Sequence, residues 1–436
     1  MVAFCIWRHF PGSVEESVTL KNLWAISSSV LFYRVFSIIC MFLSSVLIAR
    51  ILGPEGRGIL TSYLIIPVII ATISEFGMRQ SAIYFIGKDS ASTKTIPCLI
   101  VYMLITGTIG FLGCFFYFVA SKNTNEYLLF ILVSLMVYNY LFINGLNGVF
   151  IGFSDVKIYN YFIFAQNFLL LVFVCLVFAS KNNDFITIIK SYYFSSTLIS
   201  LALAITIWKR YKKKIGFTFS FDLFVDMLKK SILFGSVYAL IVLNYKIGQV
   251  LLSNASDLTS LGYYVTSSQI VELIWQVPAA FMIVVLSRTV NSQSGKEEIC
   301  NILTVTFVLI LCACVFLAIF GEILISVIFG SNFSESYHSL LYLLPGTLLI
   351  VPFKIIHTYY AGKGNLTPSF KIIIACFFLN LIMSLLLMEK YSFIGISISA
   401  SLSFSLAGFL MLIHFIRQEK VGFKLFLTFK NPDKVS

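Results

Sequence analysis

Five ionisable side chains lie within long apolar stretches of the sequence, and they are the first candidates for chemistry. Arg34, Lys246 and Lys354 are cationic, whereas Glu75 and Glu272 are acidic. A charge inside a lipid bilayer costs at least ~2.5 kcal/mol, so an ionisable residue kept there is a functional candidate by default. Arg and Lys are the usual ligands of phosphate. The surplus of cations therefore predicts a binding site for an anionic substrate such as a diphosphate, formed by Arg34, Lys246 and Lys354.

Arg34 belongs to a polar stripe on the first apolar segment. It lies roughly 10 Å along the helix from the polar start of that segment. Ser27, Ser37 and Ser44 fall on the same side, because positions three and seven apart share a helix face. We expect this stripe to face a cavity rather than lipid. The alternative is that Arg34 extends its charged group to the inner headgroups.

A second polar group lies on the seventh and eighth apolar segments. Lys246 is on the seventh, and Gln269, Glu272 and Gln276 share one face of the eighth. An ion pair between Lys246 and Glu272 would lower the cost of burying both charges. Two interpretations stay open: the pair is structural, or Lys246 is free to bind an anion while Glu272 and the two glutamines serve coupling.

Lys354 and His357 lie one helical turn apart in the tenth apolar segment. Pro345 and Pro352 precede both residues, and two prolines predict a kink in this helix. An imidazole exchanges protons near neutral pH, so His357 is a candidate proton carrier. A polar interfacial role for His357 is the simpler expectation.

Glu75 precedes Arg79 by four positions, near the inner end of the second segment. This is the spacing of an ion pair on the surface of one helix. We favour a structural role for this pair over a coupling role for Glu75.

The elements that position these residues are membrane helices. Hydrophobic residues make up 59% of the 436 residues and charged residues only 11%, against about 25% charged in soluble domains. This composition excludes an ordinary soluble enzyme, a secreted domain and a disordered chain. Runs of roughly 20 apolar residues are membrane-helix candidates. Such runs fall near 27–50, 59–78, 96–120, 127–151, 160–180, 187–208, 231–252, 261–287, 299–320, 338–361, 369–388 and 394–416.

The sequence thus predicts an all-α polytopic membrane protein with about 12 transmembrane helices in two six-helix bundles around a central cavity. The basic segment Trp208–Lys214 separates the halves and is typical of contacts with anionic headgroups or of a charge that fixes topology. The predicted parts are an interfacial N-terminus (1–26), the first bundle (27–208), a basic cytoplasmic linker (209–230), the second bundle (231–416) and a cytoplasmic tail (417–436).

The positive charges also predict orientation. Of the 31 Lys and Arg residues, 21 fall in segments that lie inside if the N-terminus is cytoplasmic, and only five, Arg57 among them, in outer segments. Both termini are therefore expected in the cytoplasm, with the chain in the cell inner membrane. The net charge of +12 is topological and implies no nucleic-acid partner. The nine cysteines are expected to be buried and reduced, and their spacing predicts no metal site.

Five stretches carry a family resemblance: Leu43–Gly58, Gly152–Asn160, Asn244–Gln249, Leu261–Tyr264 and Glu272–Trp275, with Pro278 after them. They resemble the Wzx-type polysaccharide flippases of the multidrug/oligosaccharidyl-lipid/polysaccharide exporter superfamily. One departure concerns the seventh segment, where the family often has an Asp two positions after the basic residue and this chain has Gly248. An acidic ion or proton site is not expected at that position, and Glu272 is the candidate to replace it.

The resemblance implies a flippase that moves undecaprenyl-diphosphate-linked oligosaccharide repeat units from the cytoplasmic to the outer leaflet by alternating access. Such a protein serves surface polysaccharide biosynthesis, for example of O-antigen or capsule. No cofactor is implied, but H+ or Na+ is a plausible coupling ion. Implied partners are the lipid-linked oligosaccharide, membrane lipids, a polysaccharide polymerase and a chain-length regulator.

Three alternatives stay open on the sequence. A small-molecule or drug cation antiporter of the same superfamily would need acids in its cavity, and the cationic surplus argues against it. A membrane polysaccharide polymerase or ligase would need a large outer loop, but the longest predicted one, 321–337, is short. The sequence also has no phosphate-binding glycine loop, zinc spacing or nucleophile elbow, so no enzyme is predicted. A non-transporting scaffold is the third alternative.

Overall fold

The structure is a computed structural model that describes residues 20–87, 92–121, 126–180, 184–212, 216, 218–254, 257–290 and 295–422. Side chains are described from Ser29 onward. Most of the predicted interfacial segment 1–26 and of the tail 417–436 lies outside these residues.

Within the described part of the chain, thirteen α-helices account for almost all regular structure. A short 3-10 turn, Ser331–Phe333, is the other helical element there. The helices are α1 (Leu20–Glu75), α2 (Met78–Gly87), α3 (Ser92–Ser121), α4 (Tyr127–Gly152), α5 (Val156–Ala179), α6 (Phe185–Tyr211), α7 (Phe221–Ser253), α8 (Leu258–Ile274), α9 (Gln276–Val290), α10 (Lys296–Phe329), α11 (Ser336–Leu349), α12 (Val351–Gly362) and α13 (Thr367–Glu419).

The two longest helices each contain one non-helical residue that divides them into two membrane crossings. In α1 the break is Gly53, whose φ of 68° is a left-handed conformation that glycine adopts without strain. In α13 it is Ser392, with φ 49°. The apolar stretches of 47 and 53 residues in these helices exceed the ~20 residues that span a bilayer.

The predicted number of crossings is confirmed. In the described residues, ten helical stretches are long and apolar enough to cross a membrane, and the two broken helices count twice. The α8–α9 and α11–α12 pairs each form one stretch, interrupted at Trp275 and at Ile350. The interruption at Ile350 lies between Pro345 and Pro352, where the prolines predict a kink.

The chain divides into two compact units, with the boundary between Ala239 and Leu240 inside α7. The first unit contains α1 to α6 and the start of α7. The second contains the rest of α7 and all later helices. Each holds six crossings if the crossing on α7 is assigned to the second unit. The predicted basic linker 209–230 is helical at both ends, because α6 continues to Tyr211 and α7 begins at Phe221.

Apolar side chains cover the outside of both units, as expected for helices surrounded by lipid. Leu128, Ile109 and Ile319 are 78%, 67% and 65% exposed. The expectation that all cysteines are buried is wrong for Cys175 and Cys312, which lie on this apolar surface. Cys5 lies outside the described residues. The buried cysteines are Cys40, Cys98, Cys114, Cys300, Cys314 and Cys376.

Within the first unit, the start of α7 packs backbone to backbone against the break between α1 and α2. Phe76 and Gly77 have φ values of 34° and 76° and separate the two helices. A Cβ atom added at Gly235 would lie 2.3 Å from the Phe76 carbonyl, and one added at Gly77 would lie 2.5 Å from the Ser231 carbonyl oxygen. Only glycine fits at either position of this contact.

Gly235→Val is therefore expected to destabilise the protein, by ~1–3 kcal/mol, as overpacking of a tight contact does. The measurement is thermal unfolding in detergent, followed with a thiol-reactive dye that reports exposure of the buried cysteines. Gly113→Ala is the matched control, because a Cβ at Gly113 in α3 meets no atom within 4 Å. An unfolding temperature of Gly235→Val equal to that of the wild type would contradict the contact.

Candidate functional site

An ion pair joins α7 and α8 in the second unit. Lys246 Nζ donates to Glu272 Oε1 at 2.7 Å. The two side chains are 24% and 40% exposed, so neither charge is sealed inside the protein. The pair that the sequence analysis gave as one alternative therefore forms, and both of its side chains stay partly exposed.

Lys354 on α12 is held by aromatic rings rather than by a carboxylate. Its Nζ lies 4.0 Å from the centroid of the Trp275 ring and 5.0 Å from that of Tyr245. Phe404 on α13 packs edge-on against both rings. The negative faces of aromatic rings attract a cation without neutralising it. Among the described residues, no carboxylate lies within 4.0 Å of Lys354, so its charge is stabilised but not cancelled.

We call the rings of Tyr245, Trp275 and Phe404 around Lys354 the aromatic cage. The ion pair and this cage are parts of one site. Tyr245 and Lys246 are consecutive residues of α7, and Trp275 follows Glu272 by three positions at the end of α8. The Trp275 indole Nε1 is buried and has no hydrogen-bond partner among the described residues. We call Tyr245, Lys246, Glu272, Trp275 and Lys354 the cationic cluster.

A buried hydrogen-bond network fixes α7 next to this cluster. Asn380 Nδ2 donates to the backbone oxygen of Asn244 at 2.9 Å and to its Oδ1 at 3.0 Å. Ser403 Oγ donates to the same Oδ1 at 3.1 Å. All three side chains are at most 1% exposed. Because Asn244 lies two residues before Lys246, the network ties the helix that carries the lysine to both halves of α13.

The remaining predicted residues of the second unit lie beside the cluster. Gln276 Nε2 donates to the backbone oxygen of Glu272 at 3.4 Å. Gln269 is half-buried one turn earlier on α8. His357 stacks on Phe353 with 5.7 Å between ring centroids. The buried Nδ1 atom of His357 has no hydrogen-bond partner among the described residues.

Arg34 lies in the first unit, apart in the chain from the two lysines. It is half-buried and has no ion-pair or hydrogen-bond partner among the residues whose side chains are described. The serines of its stripe are used within the protein: Ser37 accepts from Asn167 Nδ2 at 2.7 Å, and Ser44 donates to the Cys40 carbonyl at 2.8 Å. The side chain of Ser27 lies outside the described part.

The Glu75–Arg79 pair forms, but in a different setting from the one predicted. Arg79 Nε lies 3.1 Å from Glu75 Oε1. Glu75 ends α1 and Arg79 belongs to α2, so the pair bridges the Phe76–Gly77 break instead of lying along one helix. Glu75 is only 4% exposed, and the expectation of a surface pair is wrong. Its position at a helix break suits a structural role.

Arg57 is a buried cation that the sequence analysis placed in an outer loop. The helix resumes at Pro54, directly after Gly53, and includes Arg57. Its side chain is 4% exposed, and Nη2 donates to Ser45 Oγ at 2.8 Å. Proline at the first position of a helix was the available signal, since its fixed φ suits a helix start.

No group of three or more His, Cys, Asp or Glu side chains suited to hold a metal ion occurs in the described part of the chain.

Comparison with known proteins identifies the family. The family described as "Polysaccharide biosynthesis protein" matches residues 20–287, which is more than half of the chain. The capsular polysaccharide biosynthesis protein CapF of Staphylococcus aureus is 23% identical over 382 residues, covering 85% of this chain and 93% of CapF.

Solved structures share the fold. The lipid II flippase MurJ, in an inward closed conformation, superposes with a TM-score of 0.72 at 16% identity, covering 93% of this chain and 89% of MurJ. An inward-facing multidrug resistance MATE transporter of the MOP superfamily superposes with a TM-score of 0.64 at 14% identity, covering 98% of this chain and 99% of the transporter. The chain is therefore a multi-pass membrane protein with the fold of the MOP-superfamily transporters, and it belongs to the polysaccharide biosynthesis protein family.

Proposed function

We propose that the protein is a flippase that moves undecaprenyl-diphosphate-linked oligosaccharide repeat units across the cell inner membrane, from the cytoplasmic to the outer leaflet. The cationic cluster is the observation that carries this proposal. It presents two lysines at membrane depth, one in an exchangeable ion pair and one held by rings. Family membership and the CapF relative support a substrate from surface polysaccharide biosynthesis.

The cluster suits both parts of such a substrate. A diphosphate brings negative charge and many acceptor oxygens, which Lys246 and Lys354 can bind through charge-assisted hydrogen bonds. Because the Lys246–Glu272 pair is only partly buried, a diphosphate can compete with Glu272 for Lys246 in this proposal. In this proposal the half-buried ring of Tyr245 contacts the sugars, and the buried Trp275 holds Lys354 in place. The prenyl chain stays in lipid.

Glu272 is the proposed coupling acid, for H+ or Na+, in an alternating-access cycle. The position where the family often has an Asp cannot hold one here: a Cβ at Gly248 would lie 2.3 Å from Ile396 Cγ2. Glu272 lies on the facing helix α8 and contacts the lysine that binds substrate in this proposal. Protonation of Glu272, or its binding of a cation, would free Lys246 and so link ion movement to anion binding.

The alternatives fit less well. A cation or drug antiporter needs free acids in its membrane interior, but Glu75 and Glu272 are both held in ion pairs. A polymerase or ligase needs an extended outer loop, but α10 continues to Phe329 and α11 begins at Ser336. We propose no catalytic activity. The polymerase and the chain-length regulator stay proposed partners. A cytoplasmic position of both termini also stays a proposal.

In a strain that lacks the gene, completed lipid-linked repeat units are expected to accumulate on the inner leaflet. An impermeant glycan-modifying reagent applied to intact cells reports the leaflet, and restoring the gene should relieve the accumulation. Single, unpolymerised repeats on the outer leaflet would instead identify a polymerase or ligase. An unchanged pool in both leaflets would refute transport of these lipids.

Arg34→Ala, Lys246→Ala and Lys354→Ala are each expected to lower export about tenfold or more at normal protein levels, because a hydrogen bond to a charged group contributes ~1.5–3 kcal/mol. Surface polysaccharide of complemented cells, normalised to protein in the membrane, is the measurement. Lys371→Ala is the matched control, since Lys371 is an exposed lysine at the start of α13. Wild-type export by both lysine variants would refute the cationic cluster, and wild-type export by Arg34→Ala would exclude Arg34 from substrate binding.

Glu272→Gln is expected to abolish the ion dependence of transport in proteoliposomes while binding of the lipid-linked substrate persists. The neutral amide keeps the shape but neither exchanges a proton nor attracts a cation. Gln276→Ala, on the next turn, should retain the ion dependence. If Glu272→Gln responded to the H+ and Na+ gradients as the wild type does, Glu272 would not be the coupling acid.

A further inference from the structure

The first unit contains an apolar groove that the proposed transport site does not use. It lies where the beginning of α3 meets the ends of α4 and α6, and its volume is about 300 Å³. This is the lower end of the size range of small-ligand pockets, ~300–1,000 Å³. The lining is entirely apolar apart from the backbone and the Trp208 indole nitrogen. It includes Pro97, Val101, Leu146, Ala204 and Trp208.

Two lysines lie outside this lining, toward the ends of its helices, on the same helix faces as lining residues. Lys94 precedes Pro97 by three positions and Val101 by seven, so it lies on the same face of α3. Lys212 follows Trp208 by four positions and caps the end of α6. Trp208 is 49% exposed, as is typical of a tryptophan at a membrane interface. The groove therefore runs from an apolar interior to a cationic mouth.

The charges at this mouth are available to a ligand. Lys94 and Lys212 are both exposed, and neither has an ion-pair or side-chain hydrogen-bond partner among the described residues. The neighbouring Arg210 is different, because its Nε and Nη2 donate to Asp155 at 3.0 and 3.1 Å. Both lysines are therefore cations without an ion-pair partner among the described residues, on the side that the positive-charge bias assigns to the cytoplasm.

We propose that this groove binds an anionic phospholipid of the cytoplasmic leaflet, with an acyl chain between α3, α4 and α6 and the phosphate between Lys94 and Lys212. Basic pockets between membrane helices on the cytoplasmic side recognise anionic lipids in this way. Two exposed lysines beside an apolar lining suit a simple phosphate headgroup with an acyl chain. The bound lipid would hold three helices of the first unit together.

The test is native mass spectrometry of the purified full-length protein titrated with phosphatidylglycerol or phosphatidylcholine of identical acyl chains. The wild type should bind one phosphatidylglycerol more tightly than phosphatidylcholine. Lys94→Ala and Lys212→Ala should each weaken the binding of phosphatidylglycerol about fivefold, as expected for loss of one basic residue at an anionic surface. The binding of phosphatidylcholine should stay unchanged. Ala204→Trp, which fills the groove, should weaken the binding of both lipids.

Two matched variants control for general effects. Lys157→Ala removes an exposed lysine near Asp155, outside the groove lining, and Ala120→Trp adds a bulky ring to an exposed position of α3. Both should bind like the wild type. Equal affinity for the two phospholipids, or unchanged binding by the groove variants, would overturn the proposal. Displacement of phosphatidylglycerol by undecaprenyl phosphate at equal concentration would also overturn it, by assigning the groove to the substrate's tail.

Discussion

A charge inside a membrane must be compensated, and the organisation of this protein depends on how each charge is treated. Glu75 is buried against Arg79 across a helix break, so this pair joins α1 to α2. Lys246 is compensated by Glu272 in a pair that is partly exposed. Lys354 lies over the faces of aromatic rings, with no carboxylate within 4.0 Å among the described residues. In our proposal, this gradation from a buried ion pair to a ring-held cation separates the structural charges from those that bind an anion.

The helix breaks and the amide network serve this arrangement. The interruption at Trp275 ends α8 one turn after Glu272 and puts the indole against Lys354, while the interruption at Ile350 starts the short helix that carries Lys354. Asn244, Asn380 and Ser403 then lock α7 to α13, so Lys246 starts from a rigid element. Rigid positioning of a few polar groups in an otherwise apolar unit is what a selective binding site requires.

Much of the fold follows from the sequence, because the length of an apolar run is fixed by bilayer thickness. The dipeptide Gly53-Pro54 predicts the first helix break, because glycine and proline interrupt helices. The break at Ser392 was not predictable, because a serine does not indicate one. The Lys246–Glu272 pair was predictable since the two residues lie on consecutive segments. The aromatic cage was not, because its rings come from three helices and meet only through packing. Arg57 was misplaced because a Gly-Pro-Glu-Gly sequence resembles a loop although the helix resumes at the proline.

The central claim is that Lys246 and Lys354 bind a diphosphate at membrane depth. The most direct measurement compares equilibrium binding of undecaprenyl diphosphate and uncharged undecaprenol to the purified protein, in the wild type and in the Lys246→Ala/Lys354→Ala double variant. The account predicts that the wild type binds the diphosphate far more tightly and that this preference collapses in the double variant. Equal affinity of the wild type for the two lipids, or an undiminished preference in the variant, would contradict it.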